Sequence, residues 1–216
     1  MSFVSSFLGL NHLSKESRSL VKKYVMLNTL STIAVSLSST FFYLFTIDAL
    51  GFLNASVIFA LRVFVQFVVD YPSGSLGDWI GQKRVLVLSY ISYFFTFSLL
   101  FIAQTYLHFI LIAIFMGIAL AQESGALGSW LDNNYKKIED QSLDPDRRNY
   151  GFTQSRLYTL LVFTLGIVVP VGGFLSELIT RRLVFLLQSI LTLGMILIFY
   201  FSVNDIKTDK GVKERQ

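Results

Sequence analysis

Two charged side chains of this sequence stand where a charge is expensive. Arg62 is the one formal charge within Ala49–Val69, and Glu123 closes the uncharged run Val85–Gln122. A charge at bilayer depth costs about 2.5–3.5 kcal/mol on insertion scales unless it is paired or hydrated. Gln66 lies on the Arg62 face one helical turn further on, and Gln122 adjoins Glu123. Arg62 is eight residues before Asp70, and Glu123 eight before Leu131. Each is thus about 12 Å from the end of its run, and a pair at similar depth is expected. Glu123, Arg62, Gln66 and Gln122 together read as a polar site for a substrate or a proton. Glu123 would take up a proton or a cationic group, and Arg62 an anionic one. The alternative is an ion pair that only joins two packed helices.

Other chemistry is poorly supplied. There is no cysteine, and the two histidines, His12 and His108, lie outside the apolar runs or in a polar join between them. Ser73-Gly74-Ser75 and Glu123-Ser124-Gly125 suggest a serine nucleophile, but no base stands at membrane depth to activate it. A zinc site lacks ligands, and no glycine-rich phosphate loop follows a strand. No enzyme, cofactor or metal is expected. Coupling to protons or another ion gradient is compatible with Glu123.

The elements that must position these residues follow from the spacing of the charges. Only 15% of the 216 residues are charged, 53% are apolar, 15% are aromatic, and the mean hydropathy is +0.59. A soluble domain carries about 25% charge, so an ordinary water-soluble domain is excluded, as is disorder. Crossing a bilayer takes about 20 apolar residues. The uncharged or nearly uncharged runs predict six spans, at about 24–47, 49–69, 85–103, 109–131, 157–176 and 183–204. The third and fourth divide the run from Val85 at the polar stretch Gln104–His108. Only helices or closed barrels satisfy their backbone in lipid, and unalternating runs such as Val184–Phe201 exclude a barrel. The chain therefore reads as an all-α membrane protein, with a 1–23 segment before the 24–204 bundle and a 205–216 tail or linker after it.

Fourteen Lys and Arg flank the spans on one side, among them Lys22, Lys23, Lys83, Lys136 and Lys207, whereas the other side holds only Arg181 and Arg182. The positive-inside rule then puts both termini in the cytoplasm. It also accounts for the net charge of +4 without nucleic acid as a partner. Phe3, Phe7, Leu10 and Leu13 recur at helical spacing, so 1–23 reads equally as an in-plane helix or a frayed tail. Pro145 argues against one uninterrupted helix through Asp132–Tyr150. Asp48, at the external end of span 1, is expected to be hydrated.

Two junctions resemble each other at an offset of 99 residues. Gly74-Ser-Leu76-Gly-Asp78-Trp-Ile-Gly81-Gln-Lys83 runs beside Gly173-Phe-Leu-Ser-Glu177-Leu-Ile-Thr-Arg181-Arg182, and Val85 then matches Val184. The first joins spans 2 and 3, the second spans 5 and 6, on opposite sides of the membrane. That is the pattern of two inverted three-helix repeats, a common construction in secondary transporters. Small residues recur every fourth position in span 4 (Gly117, Ala121, Gly125, Ser129), and Gly166, Pro170, Gly172 and Gly173 cluster in span 5. Such stripes let helices approach closely.

The stretch Gly74 to Arg84 resembles the signature loop between helices 2 and 3 of the major facilitator superfamily. Gly74, Leu76, Asp78, Gly81 and Lys83 match, while Trp79 and Gln82 stand where that family usually has basic residues. The span-4 ending Trp130-Leu-Asp132 is similar to many of its permeases, and Gly166–Gly173 to the fifth-helix motif of its antiporters. The resemblance implies the N-terminal six-helix half of a carrier that moves a small solute by alternating access in the cell membrane. It implies that Gly74, Leu76, Asp78, Gly81, Lys83, Arg84 and Asp132 form a cytoplasmic latch. It also implies a second six-helix half, supplied by a missing C-terminal part, a second chain or a homodimer. A non-transporting scaffold or degenerate half-carrier is the alternative.

Overall fold

The computed structural model describes residues 8, 10, 13–138 and 148–203, and at 71–76, 78, 124 and 148 the backbone alone. Residues 1–7, 9, 11 and 12 of the N-terminal segment, the Pro145 loop and the 205–216 tail lie outside the described residues. Every regular element among the described residues is helical: α1 (Lys15–Ser36), α2 (Phe42–Leu50), α3 (Phe52–Ile80), α4 (Gln82–Ile102), α5 (Tyr106–Ile138), α6 (Arg148–Leu178) and α7 (Arg181–Ser202). Five of them, α3 to α7, are long and apolar enough to cross a membrane.

The expected first span is the exception, because it is split. The α ladder stops at Ser36 and resumes at Phe42, and the turn between them is held by tighter bonds. The Ser39 N–H reaches Ser36 O at 3.1 Å, and the Phe41 N–H reaches Ser38 O at 3.1 Å. Distant residues hold the break. The Leu37 carbonyl points at Gly172 of α6, where an added Cβ would collide with the oxygen. The Thr40 hydroxyl donates to Val169 O at 3.1 Å. From α7, the fully buried Gln188 donates to Ala34 O at 3.2 Å, one of the carbonyls that a helix end leaves unpaired. Phe185 closes the contact with ring centroids 5.4 Å from Phe41 and 5.0 Å from Phe45.

Junctions between the long helices are short. Gly51 and Gly81 have φ of 76° and 91°, a region open to glycine but strained for other residues, and each turns the chain with a single residue. α3 therefore runs helical to Ile80 through the stretch expected to be a loop. Asp78 lies in the last turn of α3 and not at the start of the following helix, since the reversal falls at Gly81. α4 and α5 part at 103–105, where the His108 ring accepts the Thr105 N–H at 3.2 Å. Thr180 caps α7 by accepting the Leu183 N–H at 3.3 Å.

α5 packs most extensively against α4 and α3, and α4 against α7. About half of the α4 span is buried, but only 11% of the α3 window and 17% of the α6 window. At the Gly51 end, Arg181 and Asp48 form an ion pair at 2.7 Å with both side chains reaching solvent. Beside it Arg182 donates to Ala103 O at 3.0 Å and caps α4.

Candidate functional site

Glu123 sits near the middle of the 33-residue α5. Its carboxylate is held by three hydroxyls from two other helices. Tyr93 donates to Oε2 at 2.5 Å, while Tyr90 and Ser31 donate to Oε1 at 3.1 and 3.0 Å. The Ser31 and Tyr90 hydroxyls also touch each other. Tyr90 and Tyr93 are three residues apart on one face of α4, and both rings are buried, with Tyr90 against Phe199 of α7. Ser31 reaches the site from the last turns of α1. An ionised carboxylate only accepts, at about four lone-pair positions, so the bundle itself fills most of that capacity.

Arg62 comes from α3, which packs against α5 at Gly117. The Arg62 backbone carbonyl would be 2.8 Å from a Cβ added at Gly117, so Gly117 and Arg62 stand at one level. α3 and α5 run in the same direction, and Glu123 is six residues beyond Gly117, about 9 Å further along the axis. No ion pair joins the two residues; the equal depth expected from the run ends gives way to the register that the Gly117 contact sets. The Arg62 Nε is buried and has no hydrogen-bond partner, as is the Gln122 Oε1. Tyr93 is within electrostatic reach of both Glu123 and Arg62, so the two charges share one polar region without touching. Gln66 is half-buried on α3, one turn past Arg62.

The small residues divide into close contacts and open positions. Gly117 admits α3, and Gly172 and Gly173 admit the broken first span, the latter with 3.3 Å to Thr40 Oγ1. Ala121 is buried. At Gly125 and Gly166 an added Cβ would meet nothing within 4 Å. Pro170 lies inside α6, where it removes one backbone donor and faces the carbonyl four residues back.

At the Gly81 end, the side chains of Leu76 and Asp78 lie outside the described residues. Gly77 is buried under the Gln82 amide, 2.5 Å from where a Cβ would stand. The Lys83 ammonium lies 4.7 Å from the Tyr200 ring centroid. Arg84 opens α4 two residues past Gln82, and Asp132 pairs with Lys136 at 2.7 Å. Asp132 and Ser129 line a polar cavity of about 450 Å³ with Gln82, Asn133, Tyr150 and Gln154. A family model described as Major Facilitator Superfamily matches residues 24–216. The chain belongs to the major facilitator superfamily. This facilitator is thus a multi-pass membrane protein of a transporter family. A search of curated proteins returns no match to it.

Sequence reasoning missed Tyr90 and Tyr93 in this facilitator. Their signal was available: a tyrosine inside a lipid-spanning run carries a hydroxyl that needs a partner, and two at helical spacing point that need to one neighbour. The hydroxyls of span 1 divide by the helix they bond. Thr32 bonds its own helix at Asn28 O, 2.8 Å, whereas Ser31 and Thr40 reach other helices.

Proposed function

We propose that this facilitator is one six-helix half of a secondary carrier that moves a small solute across the cell membrane by alternating access, with the solute or its coupling proton bound between Arg62 and Glu123. The observation that carries the reading is the Glu123 carboxylate, placed mid-helix and held by hydroxyls from α1 and α4. A carboxylate embedded in this way can change its proton without unfolding its surroundings, because each neighbour that donates to it is a hydroxyl able to rotate or accept in turn. In this reading α1 and α2 together make the first span and both termini are cytoplasmic. The start of α7, 99 residues after the start of α4, supports two inverted three-helix units. The segment Gly74–Arg84 with Asp132 serves as the latch towards a second half, which a longer chain, a partner chain or a second copy supplies.

The test is flux. Proteoliposomes bearing the chain with its second half are given an inward proton gradient and a panel of small solutes. Glu123→Gln is expected to abolish proton-coupled uptake while leaving folded yield intact. Equal loss of yield and uptake assigns Glu123 a structural role. Absence of flux for every solute sinks the carrier reading and favours a scaffold.

A further inference from the structure

Glu123 and Arg62 are opposite charges in one polar region, yet their hydrogen-bonding states differ. The carboxylate already accepts from Ser31, Tyr90 and Tyr93. The guanidinium is half-buried, makes no ion pair among the described residues, and has its Nε buried without a partner. A guanidinium offers five donors in a planar fork that matches a carboxylate bidentately. Leaving one N–H of a charged group buried and unpartnered is costly, and an incoming anion relieves that cost. A cationic group would have to displace the hydroxyls that hold Glu123 and would also approach Arg62. The vacant capacity of the site is for an anion.

Charge balance adds a second constraint. Arg62 and Glu123 sum to zero, so adding a monoanion leaves the region at minus one within helices that face lipid. Protonating Glu123 restores neutrality. The titratable groups in contact with Glu123 are Tyr90 and Tyr93 from α4, the contact from α1 is the uncharged Ser31, and the charge that α3 contributes is Arg62, which does not touch Glu123. A tyrosine hydroxyl and a guanidinium already carry their donor protons and offer no place for another. Glu123 is therefore the residue that can compensate.

We infer that the solute of this facilitator is a small organic anion of the carboxylate class, docked on the Arg62 guanidinium and bound together with one proton on Glu123. The inference rests on the proposal that these residues form the solute site, and binding can be measured apart from flux.

The experiment is ligand-induced thermal stabilisation of the full chain in lipid nanodiscs between pH 5 and pH 8. Benzoate and succinate are the anionic probes; benzamide and tetramethylammonium are the neutral and cationic ones. Benzoate or succinate should stabilise the protein and the other two should not. Anion affinity should rise as pH falls, by up to about tenfold per unit, as one linked proton requires. Glu123→Gln should flatten the pH dependence of anion binding. Arg62→Gln should abolish binding, and Arg62→Lys, which keeps the charge and loses the fork, should weaken it by about tenfold. If Arg62→Gln does not fold, the Arg62→Lys result and the pH slope of the unaltered chain decide. Stabilisation by tetramethylammonium, by neither anion, or by anions with an unchanged slope in Glu123→Gln overturns the inference. Anion binding without flux leaves it standing and fails the carrier reading; uptake of a cationic solute does the reverse.

Discussion

Tyr90 and Tyr93 present rings that suit an apolar bundle and hydroxyls that do not, and Glu123 resolves the mismatch for both. The Tyr93 contact, at 2.5 Å, is a charge-assisted hydrogen bond, a class worth about 1.5–3 kcal/mol. Tyr93→Phe is therefore expected to lower thermal stability in detergent clearly, while the substituted ring should keep its stack against Phe97. Calorimetry or a fluorescence melt measures the shift; an unchanged melting point would falsify the bond's contribution. At this scale the charges were legible and their partners were not. Arg62 and Glu123 stand out because charge is rare in the runs that hold them. Tyrosine and serine are common there, and only three-dimensional proximity shows which of them turn inward to the carboxylate.

The broken first span is the element whose form could not be read locally. Leu37 to Phe41 contains neither proline nor glycine, the residues that usually interrupt a helix. The cause lies more than 130 residues away in sequence, at Gly172 and Gln188, and spacing within the span carries no trace of it. Gly172→Ala drives a methyl into the Leu37 carbonyl and should cost on the order of 1–3 kcal/mol, the usual range for overpacking. Gly125→Ala, with open space at that position, is the matched control and should be neutral or slightly stabilising, since alanine favours a helix. Comparing folded yield and melting point of the two variants checks the contrast; equal losses would argue against the close approach. The junction at Gly81 shows the opposite balance. Its glycine stands out in the sequence, yet α3 continues further than the sequence suggests, because the Pro- and Gly-containing stretch Tyr71–Gly77 looks like a loop when read alone.

Across the whole molecule, the long helices were legible from the gaps between charges, and membership of the superfamily from the motif at 74–84 together with the family match over 24–216. Register between helices was not legible, since it is fixed by contacts such as Gly117 on Arg62 and not by where charged residues end a run. The Asp48–Arg181 pair joins the two ends of the bundle's Gly51 face. Its side chains are 64% and 40% exposed, so a double-mutant cycle should give a coupling below about 1 kcal/mol that fades in high salt. A larger, salt-insensitive coupling would mean that the pair is shielded in the membrane-embedded protein.

The split between α1 and α2 bears on how the chain is made. Membrane insertion proceeds from the N-terminus as synthesis advances, and α1 and α2 are each absent from the helices able to cross a bilayer by length and composition. The residues that steady the break, Val169, Gly172, Phe185 and Gln188, are translated only after α3, α4 and α5. The α1–α2 break thus waits for α6 and α7 before its backbone is satisfied. A ribosome stalled before α6 would expose an unsupported α1–α2 break to quality control, and mutations in α6 or α7 would register as failures to place α1 and α2.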